Sequence, residues 1–175
     1  MEMQERLKPI ARSLKKEWLS LKMEKVGASK HQFGIILKSS MPTMGGEPVA
    51  LSALLTPGVT GEKHINLVMD VALPKVEDLE PVLPALSAFM QQATAVLSPM
   101  TIIVDMRTSQ IILRQSQLIP LDEPPATAAF VKASQILVPL LKKTVESICQ
   151  INPAPADARQ MADMLAESFY GVLQE

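Results

Sequence analysis

The chain reads as an α+β protein: a three-stranded meander and a separate hairpin build an antiparallel sheet, with helices packed mainly on one face. Three observations predict this. Apolar residues recur at three- and four-residue spacing in four segments, the period of a helix with one buried stripe. Five other segments alternate, or run β-branched, over strand length. Proline and glycine punctuate the strand-like runs at short intervals, which favours antiparallel neighbours over long crossovers.

Taken in order, residues 5–26 predict an amphipathic helix. Leu7, Ile10, Leu14, Trp18 and Leu21 share one face, while Arg6, Arg12, Lys15, Lys16 and Lys22 project elsewhere. Gly27 suits the left-handed residue that ends such a helix. Three strands follow: His31 to Ser40, ended by Pro42 and Gly45-Gly46; Glu47 to Leu55; and Lys63 to Leu73. The third alternates best, with Ile65, Leu67, Met69 and Val71 on one side and His64, Asn66 and Asp70 on the other.

The segment from Val76 to Leu97 predicts a second helix. Pro81 and Pro84 lack amide hydrogens and fit only its first turn, so regular helix starts near Pro81. Thr101 to Met106 and Ile111 to Leu118 predict a hairpin around Arg107-Thr108-Ser109-Gln110. Asp105 and Arg107 then lie together on one strand face, an ordinary surface pair rather than a catalytic one. A long helix from about Glu123 or Pro125 to Gln150 carries a stripe from Ala126 and Ala129 to Val145 and Ile148. Pro139 interrupts it. Beyond the stiff Asn152-Pro153-Ala154-Pro155 link, Asp157 can cap a last helix whose stripe holds Ala158, Met161, Met164, Leu165, Phe169 and Val172. Residues 1–152 are thus read as a single α+β unit and 153–175 as a C-terminal helical extension.

At 47% apolar and 20% charged the chain can bury a core. Aromatics are only 3%, so that core is aliphatic, and the 11 methionines serve first as gap fillers and second as an adaptable surface. The net charge of −1 gives no overall pull toward nucleic acid or anionic lipid. Residues 1–30 hold eight basic and four acidic side chains, which puts the surplus of acid in the rest. Cys149 is the one cysteine, so it has no disulfide partner within the chain and no zinc site of cysteines forms. The first residues do not read as a signal peptide, and no apolar run spans a bilayer, which fits a cytoplasmic setting.

Chemistry is sparse. His31 and His64 alone make a poor metal site, and Cys149 lies by an apolar stripe as an inert thiol. No phosphate loop, dinucleotide fingerprint, nucleophile elbow or metalloprotease motif is present. No catalytic residue, cofactor or metal ligand is therefore assigned. What remains is apolar surface. Met161, Met164, Leu165 and Phe169 on the last helix are the candidate partner-binding residues, because a methionine-rich face repacks easily.

The stretch "LEPVLPALSAFMQQATAVLSPMTIIVDMRTSQIILRQSQLIPLDEPPATAAF", Leu79 to Phe130, resembles the YbjN branch of the type III secretion chaperone-like superfamily. There a helix leads into an aliphatic hairpin and then, through an acidic or proline-bearing lead, into a long helix. The resemblance covers residues 1–150. It implies a non-enzymatic, usually dimeric protein that holds another polypeptide or regulates through protein contacts. The basic first helix and the helix after Pro155 depart from that pattern.

The expectation is a cytoplasmic protein-binding module, chaperone-like or regulatory, acting as a homodimer on a protein or peptide partner without nucleic acid or membrane. One rival is a small-molecule-binding domain or enzyme using a concave sheet face with Asp70, Asp105 and Arg114 convergent. Another is a peripheral membrane adaptor using the basic first helix.

Overall fold

The computed structural model describes residues 7–12, 22–29, 32–57, 63–75, 79–123 and 127–174. Residues 7–12 are helical (α1). Then come β1 (Lys22–Ser29), β2 (Gln32–Thr43), β3 (Gly46–Pro57), β4 (His64–Ala72), a single 3-10 turn at Glu80–Val82 and α2 (Leu83–Val96). β5 (Thr101–Asp105), β6 (Gln110–Pro120), α3 (Ala128–Ile151) and α4 (Pro155–Leu173) complete the chain. The architecture is α+β with an open sheet in the order β1-β2-β3-β4-β6-β5, every neighbour antiparallel.

Three features differ from expectation: four strands, not three, precede α2, β2 runs past Ser40 to Thr43, and α3 starts at Ala128 rather than near Glu123 or Pro125. The first helix does not reach Val26: Lys22–Ser29 is an edge strand whose backbone pairs with β2, and Gly27 lies inside it. Side-chain spacing carries no information about that pairing, which comes from the open edge of β2. Of the predicted stripe, Leu7 and Ile10 are buried, whereas Leu14, Trp18 and Leu21 lie outside the described residues, as do His31, Gly58, Gly61, Val76 and Ala126.

Alternation places the sheet's two faces. Leu37, Leu51, Ala53, Leu55, Ile65, Leu67, Met69, Val71, Ile111 and Leu113 form a continuous buried layer. α3 packs on it over β2 and β6, and α2 over β5. Pro42 does not stop β2: the strand passes through it at a register shift between Met41 and Thr43, a place where a missing amide breaks no ladder. The chain then turns at Gly45, whose φ of 70° suits a residue without Cβ.

That hairpin tip is tied to the helix layer. Pro139 has no N–H for the carbonyl of Gln135, one turn back in α3. The backbone N–H of Met44, at the tip, donates to that carbonyl instead at 3.1 Å. The proline thus fixes where β2 and β3 meet α3.

α4 forms a third tier. Asn152 ends α3 in the left-handed conformation, and Pro155 opens α4. Ala154 is the N-cap and Asp157 makes no capping hydrogen bond. It sits instead in the first turn, where a carboxylate favours the helix dipole. Ala158, Ala162, Leu165, Ala166 and Phe169 are buried, facing chiefly α2, whose own buried face is Ala85, Leu86, Ala88, Phe89 and Ala93. Gln92 Nε2 donates to Asp163 Oδ1 at 2.7 Å, and Tyr170 Oη donates to the carbonyl of Val96 at 3.0 Å. The second bond satisfies an acceptor that the end of α2 leaves without a helical partner.

Candidate protein-binding surfaces

The register places three rows on the sheet face turned away from α2 and α3. Ile36, Leu54 and Val68 lie side by side and continue to Ser116. Lys38, Ser52, Asp70, Arg114 and Thr101 form the next row, and Ser40, Ala50, Ala72, Ile112 and Ile103 the third. Ile36, Leu54, Val68, Ile103 and Ile112 are half-buried and do not join the core, on the face opposite the one that α2 and α3 cover. Leu118 stands out of this face at 50% exposure.

In the middle row Asp70 and Arg114 are directly opposite across β4 and β6. Arg114 Nε and Nη2 donate to the two carboxylate oxygens, each at 2.7 Å. That hydrogen bonding raises the Arg114 guanidinium above its ordinary pKa, against partial burial. Both groups are consumed by each other.

Asp105 does not converge with them. At the far end of β5 it accepts from the backbone N–H of Arg107 at 3.0 Å, and that bond, foremost, holds its carboxyl below the usual range. Arg107 Nε lies 3.5 Å away, on a side chain 91% exposed. Thr108 N–H closes the turn onto the Asp105 carbonyl at 3.2 Å, and Ser109 takes φ 50°. Asp105 and Arg107 therefore shape a turn.

One stretch of β6 has a strand on one side only among the described residues. Leu73 N–H donates to the Ile111 carbonyl, and Leu121 N–H donates to the Lys63 carbonyl, so odd-numbered residues of β6 turn their backbone toward β4. Even-numbered residues face the other side, where β5 ends opposite Arg114. No described strand pairs with Ser116 or Leu118 there.

On α4 the four candidate residues separate. Leu165 and Phe169 are core, Phe169 at 1% exposure. Met161 is half-buried against that core and Met164 is 60% exposed. The sequence stripe is displaced because alanines, not methionines, carry the close contact with α2. Between α3 and α4 lies a groove of about 250 Å³ that takes in Met161, Met164 and Leu165, with Leu140, Lys143, Thr144 and Ser147 as the opposite wall. Sequence reading missed that wall. It also missed the outer sheet rows, although adjacent aliphatics such as Ile35-Ile36, Leu54-Leu55 and Ile111-Ile112 signal strands with apolar side chains on both faces.

A smaller cleft of about 200 Å³ lies where the β2–β3 tip meets Pro139, with Lys142, Lys143, Glu146 and Glu47 around it. Neither cavity includes Asp70, Asp105 or Arg114. Among the described residues no group of three or more His, Cys, Asp or Glu could hold a metal. His64 is half-buried at the start of β4, its Nδ1 without a hydrogen-bond partner, and Cys149 is half-buried against the core. No helix among the described residues is long and apolar enough to cross a membrane. Compared with known protein families, characterised proteins and solved structures, the chain matches none of them.

Proposed function

We propose that this chain is a non-enzymatic protein-binding module, chaperone-like or regulatory, that acts as a homodimer in the cytoplasm. The single observation behind this reading is the outer sheet face, opposite α2 and α3, where aliphatic side chains flank a self-satisfied ion pair. Such a face gains by contact with another polypeptide, since its half-buried aliphatic side chains would lose their remaining contact with water. At its polar centre Asp70 and Arg114 occupy each other, which leaves neither of them free to act on a ligand. The order of α1, a run of four strands, α2, a hairpin and α3 supports a type III secretion chaperone-like layout for this reading, with β1 and α4 as departures from it.

A photoreactive phenylalanine in place of Ser116 or Leu118, introduced in living cells of the source, tests it. The expected result is cross-linking to a discrete polypeptide, lost when Val68→Asp is added to the Ser116 probe, and a light-scattering mass twice that of the chain. A lack of polypeptide adducts at both positions sinks the binding reading, and a single-chain mass sinks the homodimer.

A further inference from the structure

α4 packs mainly along α2 and less closely on α3, and a groove lies between α3 and α4. Its walls are Leu140, Lys143 and Thr144 on one side and Met161, Met164 and Leu165 on the other. The hydroxyl of Thr144 is turned back on its own helix, donating to the Leu140 carbonyl at 2.9 Å. Ser147 and Ser168, which also line the groove, likewise donate to the Lys143 and Met164 carbonyls at 3.0 and 2.9 Å, so the surface left to an occupant is mainly thioether and aliphatic carbon.

Its charge has one sign. Among the described residues Lys143 is the only ionic one lining the groove, and none of the lining residues is a carboxylate. The nearest acid along α3, Glu146, is drawn to Lys142 at 3.9 Å. An occupant that brings apolar side chains with an acidic flank is complementary; one with a basic flank is opposed.

Backbone hydrogen bonding decides the occupant's conformation. Both walls are helices whose mid-helix amides and carbonyls are already paired, so an extended peptide laid here would leave its own backbone groups unmatched. A helix carries its hydrogen bonds with it. The α3 wall runs from Leu140 to Ser147, roughly 10 Å at the helical rise. That length takes apolar anchors at i, i+4 and i+7. A small anionic amphiphile fits less well, because a wall whose Met164 is 60% exposed cannot enclose most of such a ligand.

We propose that the α3–α4 groove receives an acidic amphipathic helix from a partner polypeptide, its apolar face on Leu140, Met161 and Met164 and a Glu or Asp beside Lys143. This rests on the protein-binding reading above and names the partner's chemistry. The methionines suit the role, since unbranched thioethers adjust to anchors of different shape.

Two capped 16-residue probe peptides test it by fluorescence anisotropy. Both carry leucines at i, i+4, i+7 and i+11; one has glutamates on the flank and the other lysines. The intact chain should bind the acidic probe about fivefold more tightly than the basic one at low salt, the size of an exposed charge contact. Lys143→Glu should reverse that preference, and Met164→Ser should weaken both probes alike. Both residues are solvent-facing, so circular dichroism should show an unchanged fold. Equal affinity for the two probes, no binding up to millimolar peptide, or an unchanged preference in Lys143→Glu overturns the proposal. So does decanoate saturating the groove and displacing neither probe. If the probes fail while sheet-face cross-links persist, the groove is wrong and the binding module stands. If the probes succeed without cross-links, the groove is the binding surface and the sheet face is not.

Discussion

Replacing Phe169 by alanine tests whether α4 belongs to the folded core. The ring is 1% exposed, among the largest fully buried side chains of the chain, and faces the small-residue seam between α2 and α4. Its centroid lies 5.2 Å from that of Tyr170 at 57°, a tilted pair whose other member is bonded to the end of α2. Truncation removes the transfer free energy of the ring and leaves a cavity that two helices cannot close without breaking the Gln92–Asp163 and Tyr170–Val96 links. The expected loss is about 3–5 kcal/mol. A domain of this kind has a total of about 5–15 kcal/mol, so the variant should sit near the edge of folding. Met164→Ala, at 60% exposure five residues earlier, should cost no more than about 0.5 kcal/mol. Urea unfolding followed by circular dichroism, with a common slope, measures both. If Phe169→Ala costs under about 1 kcal/mol, or Met164→Ala costs as much, then the α2–α4 packing is wrong and the helix is an appendage.

Three further expectations follow from the register and the ion pairs. Leu118→Pro should cost at most about 1 kcal/mol, because its N–H points to the unpaired edge, whereas Gln117→Pro should cost about 3 kcal/mol or more by removing a bond to β4; equal costs in urea unfolding refute the β6 register. A double-mutant cycle of Asp70→Asn and Arg114→Gln should show coupling of about 1–2 kcal/mol for a bidentate pair at 2.7 Å, and a value under about 0.3 kcal/mol would mean that solvent screens it. Asp105 has a lowered folded-state pKa, so the unfolded chain binds its proton first as pH falls. Its contribution is present above the ordinary carboxylate range and lost on descent through the lowered value; acid titration of stability should therefore be shallower in Asp105→Asn as the pH falls below the ordinary carboxylate value of about 3.9.

How much of this was legible depends on whether the determining contact is local. β4 is written in its own alternation, and Ile65, Leu67, Met69 and Val71 are buried as that pattern requires. The start of α2 is equally local, since Pro81 and Pro84 leave only a 3-10 turn and a first helical turn to occupy. β1 is different: Lys22–Ser29 is a strand because β2 offers an edge, and nothing within those eight residues encodes that edge. Pro139 was readable as an interruption, but not the Met44 amide that takes up the carbonyl it frees, a contact across more than ninety residues. Asp70 and Arg114 were readable as polar strand residues; only the β4–β6 register makes them a bidentate pair rather than members of a site.

The placement of α4 has the same origin and bears on what the molecule can do. Its methionines advertise an apolar face, yet Ala158, Ala162 and Ala166 are the residues that let it approach α2, because their short side chains bring two backbones together. Burying the alanine side rotates Met161 and Met164 away from the seam and toward α3. There the opposing residues are Leu140, Lys143, Thr144 and Ser147, and the groove lies between them and the methionines. The groove is thus a consequence of which stripe wins the competition for α2. Exchanging the roles tests the inference. Ala162→Leu, inserted into a seam with no room, should force α4 outward and destabilise the fold by about 1–3 kcal/mol. It should also blunt the discrimination between acidic and basic probe helices, since Met161 and Met164 would no longer be held opposite Lys143. A variant that keeps both stability and discrimination would show that small residues at 162 do not position the groove.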